Sequence, residues 1–470
     1  MPELGVWKLN VRQGVYWQKP DTDAGRLVNG RQLTADDVVA SLNRLLTAPD
    51  SWIVTGQPVV AKTATIEKTG PWEVTIRTPE EVITAYQWII QGAGFNRVYP
   101  PEVVEKHGDM EDWRNSVGTG PFMLVDFVPG SSLSYVKNPD CWEKDPIGPG
   151  KGNQLPYVDS YKELIIPDLS TTLAGLRTGK IDFLPDVVRD DALSLLKSNP
   201  ELEYSRYFSN LPWGIAMHQD KPDKPFSNVK VRQALMLATD FEALKNDFFG
   251  GEAEIDVYPV NKQVTPMYQP LSEMPASVQD LFKYNPEKAK GLLSEAGYPN
   301  GFKTSIIING VAERIDELSI YKQMWAKVGV DVSIDIRENT VYTGMTGPTH
   351  SYDDMIYRLL FGSFFIQMTF SAARGNAINN PSRINAPIGS IPFIEDVFAE
   401  YNANIFVDWP AAFAAYKKLK PFLLEQAFII PRPTPYTYAF WQPWMKNYYG
   451  QGVPLIRYAW IDQDLKQSMQ

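Results

Sequence analysis

Residues 304 to 337 carry the pattern that most restricts the fold. The run TSIIING reads as a strand, Leu318, Tyr321, Trp325 and Val328 then recur at helical spacing, and Gly329 stops the repeat. Val330, Val332, Ile334 and Ile336 follow in strict alternation, as one face of a strand does. A helix feeding a strand recurs elsewhere. STTLAGLRTGKIDFLP reads as a short helix from Ser170, stopped at Gly179 and followed by a strand over Ile181 to Leu184. NVKVRQALMLATDFEALKNDFFGG reads as two helices, the second capped by Asp240 and closed by Gly250-Gly251. Asn285 and Pro286 stand at N-cap and N1 of another, with Ala289, Leu292, Leu293 and Ala296 as its buried stripe and Gly297 as its end. Repeated alternation of this kind describes an α/β chain with mixed sheets, not a sandwich or a bundle.

The N-terminal third adds β-rich texture. VWKLNVRQGVYW alternates as a half-buried strand, Thr34 offers an N-cap with Asp37 in the first turn, and Val38, Val39, Leu42, Leu45 and Leu46 share a helical face. ATIEKTGPWEVTIRT reads as a hairpin turning at Thr69-Gly70-Pro71, and from Val117 two extended stretches flank Pro129-Gly130. GPGKGN lacks the spacing of a phosphate-binding loop and no helix pattern follows its lysine, so it reads as a surface turn.

At 470 residues the chain exceeds what one core fills, since cores stop growing at roughly 250–300 residues, so two or more lobes are expected. A net charge of −10 argues against a nucleic-acid footprint, and no run approaches the ~18 apolar residues of a membrane helix. Cys141 stands alone, which excludes an intramolecular disulfide, and His107, His218 and His350 are not ligand-spaced, so neither metal nor cofactor is expected. Aromatic residues make up 12% of the chain, enough to fill the cores and also to line a ligand site.

Seven ordered stretches together resemble one family: LTADDVVASLNRLL, VGTGPFMLVDFVPG, NPDCW, LPYVDSYKELIIPDLSTTLAGLRTGKIDF, PFSNVKVRQALMLATDFEAL, YNPEKAKGLLSEAGYPNGF and YAFWQPWMKNYYG. They are similar to the family 5 extracellular solute-binding proteins, the oligopeptide and dipeptide receptors of ATP-binding cassette (ABC) importers, from about Trp7 to Tyr449. The resemblance implies a two-lobed periplasmic-binding-protein-like fold of the class II, or cluster C, type, with mixed sheets, a hinge and an extra subdomain. On that template residues 1–116 form the extra subdomain, 117–209 with 441–470 a split lobe, and 210–440 the other lobe. Members normally carry an export signal and opening strands ahead of the element matching VWKLNVRQGVYW, so the expectation is a sequence lacking that segment. The implied setting is periplasmic or cell-surface, and the implied partners are a small solute, a membrane permease and its ATPase subunits. A monomer that binds no nucleic acid is expected.

The resemblance also implies site residues. YDDMIYRLLFGSFF, residues 352 to 365, aligns with a cleft-wall strand that usually ends in an aspartate pairing with a peptide's α-amine; here Phe361, Gly362, Ser363, Phe364 and Phe365 stand nearest. A buried ammonium without an anionic partner costs several kcal/mol, which disfavours a free-amine peptide. Arg358 is either a ligand partner or a structural ion pair with Asp353 or Asp354. Arg314 matches a position that offers a basic group to a ligand carboxylate, the alternative being a surface arginine at a helix start. Tyr342, Trp213 and Tyr436 fall where the family places aromatic residues near the cleft, and each reads equally as packing. The expected function is capture of an oligopeptide-like solute by hinge closure. The alternatives are an oligosaccharide on the same fold and, more remotely, a hydrolase. Asp353 and Asp354 are adjacent on a strand and point to opposite faces, so they cannot flank one glycosidic bond, and no enzyme is expected.

Overall fold

The computed structural model describes residues 3, 5–56, 58–79, 89–90, 96–208, 212–346, 350–360, 373–375, 380–450 and 453–469. They fall into two compact units, residues 1–207 with 437–470, and residues 208–436.

The first unit is built from several small antiparallel sheets. The strands β1 (Val6–Asn10), β2 (Thr65–Gly70) and β3 (Glu73–Arg77) make one, ordered β1-β3-β2. The hairpin read from ATIEKTGPWEVTIRT is β2 and β3, paired antiparallel. The Ala35–Thr47 helix starts where Thr34 suggests, its backbone N–H donating to Asp37 Oδ2 at 2.8 Å. Asp37 is also buried, and Arg31 grips both of its oxygens at 2.9 and 2.6 Å while holding Glu102 at 2.6 Å. The stretches around Pro129-Gly130 are β4 (Phe122–Val128) and β5 (Ser132–Lys137), joined by β6 (Ser160–Leu164) in the order β4-β5-β6. The strands β7 (Phe183–Val187) and β8 (Glu203–Phe208) both pair with a strand over Thr434–Trp441, β7 lying opposite Tyr438, Phe440 and Trp441.

The helix expected from Ser170 begins at Leu169, because Asp168 is the cap and accepts the Thr171 N–H at 2.7 Å. Its following strand also starts later than expected, at Phe183. The N–H groups of Lys180 and Ile181 both close the helix end onto the Gly175 carbonyl, at 2.9 and 3.1 Å, and are spent there.

The second unit is built on a five-stranded sheet ordered β12-β11-β13-β9-β14, where β9 is Trp213–Met217, β11 Phe302–Asn309, β12 Val330–Arg337, β13 Met355–Leu359 and β14 Ile429–Pro431. A short β10 (Ala253–Glu254) pairs with Thr434 and Pro435. The strand β11 runs parallel to β12 and β13, and β9 runs antiparallel to both β13 and β14. The Ala312–Ala326 helix links β11 to β12, as the 304–337 pattern predicts. Its Trp325 is fully buried and satisfied, the indole N–H donating to Thr239 Oγ1 at 3.0 Å. Asn285 caps the Pro286–Glu295 helix by accepting the Lys288 N–H at 3.0 Å.

Side chains alternate across this sheet. Ile215, Met217, Ile306, Ile308, Met355 and Tyr357 pack into a core with Leu318, Tyr321 and Trp325. Ala216, Ile307 and Ile356 point the other way and pack with Tyr342 and Tyr352. Just before β11 the backbone at Gly301 passes close to Gly329, the residue before β12. Gly301 has φ +73°, and a Cβ there would lie 1.8 Å from the Gly329 carbonyl oxygen. Gly301→Ala is therefore expected to destabilise this unit by about 2 kcal/mol, measured by urea denaturation, through left-handed strain and the displaced strand start.

Candidate functional site

The strands of the second unit bring their ends to one edge. The carboxyl ends of β11, β12, β13 and β14 meet the amino end of β9 there, because β9 opposes β13 and β14, with Leu359 across from Trp213 and Pro431 across from Gly214. Carboxyl ends of parallel strands are where α/β sheets bind ligands. An open depression of about 530 Å³ lies at this edge, lined by Asn309, Gly310, Val311, Ile336, Arg337, Glu338 and Asn339.

Trp213 and Arg314, 101 positions apart in the chain, meet here. The Arg314 guanidinium carbon stands 3.6 Å from the centre of the Trp213 ring, a close cation–π stack. Trp213 also packs on Tyr357, ring centres 5.7 Å apart. Arg314 lies in the first turn of the Ala312–Ala326 helix, where a cation opposes the helix dipole, so the helix gains nothing from it. It is half-buried, and its guanidinium makes no hydrogen bond or ion pair with another described residue. Burial, and then the like charge of Arg432, holds its proton less tightly than usual. The outcome is an oriented cation with its donors uncommitted.

Tyr342 and Arg358 occupy the opposite face of the sheet, with Ile356 and Tyr352. Tyr342 is the buried residue in the middle of a helix over Asn339–Met345, and it donates its hydroxyl to the Tyr357 carbonyl at 2.8 Å. Burial pushes its phenol up to about 12 against the pull of Arg358 and Arg314. Arg358 is 5% exposed and donates to the carbonyls of Leu359 and Thr346, each at 3.2 Å. The structural partners considered for it are engaged elsewhere: Asp353 pairs with Lys221 and Asp354 with Lys224, both at 2.8 Å. Asp354 also accepts from Thr304 and Ser305, which ties it into the strand starts. Tyr436 donates to Glu254 Oε1 at 2.8 Å and accepts from Lys262 at 3.1 Å. Phe361, Gly362, Ser363, Phe364 and Phe365 lie outside the described residues.

One group under the stack escaped the sequence reading. Glu317 is fully buried on the helix that carries Arg314, and its Oε2 accepts the Tyr357 hydroxyl at 2.8 Å and lies 2.8 Å from Arg432 Nε. Arg432, 6% exposed, also donates to Glu313 at 3.1 Å, and its backbone N–H donates to the Trp213 carbonyl at 2.9 Å. Burial pushes the Glu317 carboxyl up to about 7, against Arg432 and the Tyr357 hydroxyl. A signal was present: Glu317 is the charge beside Leu318 and one turn before Tyr321 in an otherwise apolar stripe. Among the described residues no three His, Cys, Asp or Glu side chains are placed to hold a metal ion, and no helix is long and apolar enough to cross a membrane.

The sequence model of the bacterial extracellular solute-binding proteins, family 5, middle region, matches residues 4–374. The chain belongs to this family. Heme-binding protein A of Haemophilus influenzae is 32% identical over 223 residues, 46% of this chain and 36% of that protein. Glutathione-binding protein GsiB of Salmonella typhimurium is 28% identical over 336 residues, 70% of this chain and 57% of that protein. The family 5 chain thus matches between about a third and just over half the length of these curated relatives. Among solved structures, the ABC transporter-associated periplasmic binding protein DppA from Helicobacter pylori, in complex with the peptide STSA, superposes with a TM-score of 0.77 at 21% identity. The match covers 98% of this chain and 87% of DppA. The α/β periplasmic-binding-protein fold with mixed sheets expected from the resemblance is borne out.

Proposed function

We propose that the family 5 chain is the solute-binding component of an ABC importer and that it takes an oligopeptide-like solute by a carboxylate at Arg314. The observation that carries this is the guanidinium stacked on Trp213 at the carboxyl edge of the sheet, its donors uncommitted to any described residue. A planar fork of N–H donors suits a carboxylate, and charge-assisted pairs of that kind are about twice as strong as neutral hydrogen bonds. Family membership supports the wider reading, and the peptide bound to DppA and the glutathione in the name of GsiB support the solute class.

The solute would be held between two lobes and released to a membrane permease, closure being stabilised by contacts that only the closed form makes. We assign residues 1–116 to an extra subdomain, 117–209 with 441–470 to one lobe and 210–440 to the other, a division supported by the two compact units. Arg358, Tyr342, Tyr436 and the 361–365 segment are retained as further solute contacts. The reading is of binding without catalysis, outside the cytoplasm. A sugar stacked on Trp213 is less favoured, because Arg314 already occupies one face of that ring.

Calorimetry with trialanine, N-acetyl-trialanine, trialaninamide and cellotriose tests the reading. N-acetyl-trialanine is expected to bind, and Arg314→Ala to weaken it about 30-fold, the loss of one charge-assisted pair of about 2 kcal/mol. Trialaninamide, without the carboxylate, is expected to bind as weakly to the wild type. Binding of cellotriose alone would reject the peptide reading, and an unchanged affinity in Arg314→Ala would reject the site.

A further inference from the structure

Glu317 does more than fill space beneath the stack. Its contact with Arg432 joins the helix that carries Arg314 to the segment whose backbone holds the Trp213 carbonyl. Tyr357, the third partner, is the ring on which Trp213 packs. Both members of the stack are therefore fixed through one buried carboxylate. That carboxylate is incompletely satisfied: its Oε1 is buried and has no hydrogen-bond partner among the described residues. A fully buried oxygen without a donor is where a proton is most easily accommodated.

We propose that Glu317 is a positioning residue for the Trp213–Arg314 pair, and that its charge sets how tightly the pair holds an anionic group of the solute, so that capture draws a proton onto Glu317. The inference rests on the reading that Arg314 meets the solute. The groups facing Glu317 are Glu313, Arg314 and Tyr321 on its own helix, Arg432 after β14, and Tyr357 in β13. With Glu317 ionised, the charges of Arg314, Arg432, Glu313 and Glu317 cancel. With Glu317 neutral they sum to one positive charge beside the stack. Arg314 and Glu317 are three residues apart and so share a helix face. An anion on Arg314 then repels the Glu317 carboxylate and favours its neutral form, the proton coming from solvent to Oε1. Burial already brings the carboxyl to about 7, so both states are populated near neutral pH. The sign follows: affinity for the anion rises as pH falls from 8 to 6.

N-acetyl-trialanine is the probe, because its carboxylate is its only titratable group and does not titrate in that range. Titration calorimetry in two buffers of different ionisation enthalpy is expected to show net proton uptake near pH 7. Binding is expected to be about five-fold tighter at pH 6 than at pH 8, the scale of a charge pair at partly buried separation. Glu317→Gln is expected to bind near the low-pH affinity at all three pH values, with no uptake. Uptake that persists in Glu317→Gln, or a wild type with no pH dependence, overturns the proposal. Where that variant fails to fold, carbon-13 titration of the wild-type glutamate carboxyls decides. One glutamate with a midpoint near 7 that moves upward on adding N-acetyl-trialanine supports the proposal, and its absence overturns it. Failure of N-acetyl-trialanine to bind, or binding indifferent to Arg314→Ala, instead rejects the site on which the inference stands.

Discussion

Arg432→Ala is expected to lower the stability of the 208–436 unit by about 3–5 kcal/mol, the loss seen when one partner of a buried ion pair is removed. Arg432 is 6% exposed and Glu317 fully buried, so removal strands a carboxylate beside Leu318 and Tyr321 with, among the described residues, the Tyr357 hydroxyl alone to hold it. The carboxyl would take up a proton to escape, and the variant should therefore recover part of its stability below neutral pH. Removing both charges is a different experiment. The double variant Arg432→Met with Glu317→Leu replaces the pair by apolar groups of similar reach, and such replacements are often neutral. It is expected to lie within about 1 kcal/mol of the wild type in urea denaturation followed by tryptophan fluorescence. A single-variant loss below about 1 kcal/mol would show that the pair is already solvated and does not fix the stack.

That pair also shows where sequence reading stops. Local chemistry was legible: Asn285 and Pro286 start a helix, Asp240 caps another, and the alternation from Val330 gives β12, because each depends on neighbours a few residues away. The burial of Tyr321 and Trp325 followed from helical spacing for the same reason. Family resemblance named Trp213 and Arg314 one at a time, but their stacking across 101 positions is a consequence of sheet order, which no local pattern encodes. The reading of Arg358 against Asp353 or Asp354 misjudged proximity in sequence as proximity in space. The two aspartates lie in the bend just before β13, and their carboxylates turn to Lys221, Lys224 and the β11 residues Thr304 and Ser305. Glu317 and Arg432 were missed because each looks like an isolated charge in an apolar run, and only their meeting gives either a reason to be there.

Acidification is expected to weaken the 208–436 unit through His218. The imidazole is 2% exposed, packs on Tyr352 with ring centres 4.2 Å apart, and has no hydrogen-bond partner for either nitrogen among the described residues. Asp220 approaches Nδ1 at 3.5 Å, and Lys221, Arg383 and Asp353 also act on it. Burial dominates and brings the imidazole down to about 4, from an ordinary value of 6.5. A lowered value means that the folded chain prefers the neutral ring. Above 6.5 the ring is neutral in both folded and unfolded chains and costs nothing. As pH falls from 6.5 toward 4 the unfolded chain takes up the proton first, and stability drains away. The loss from this one group reaches roughly 3 kcal/mol by pH 4, at about 1.4 kcal/mol for each pKa unit. Carboxylates titrate over part of the same range, so the informative quantity is a difference between variants. His218→Leu removes the titration while keeping an apolar side chain against Tyr352. Its urea stability, measured from pH 7 to pH 4, is expected to fall less steeply than that of the wild type by that amount. Parallel curves would mean that the folded protein accepts the proton at His218, with Asp220 outweighing burial.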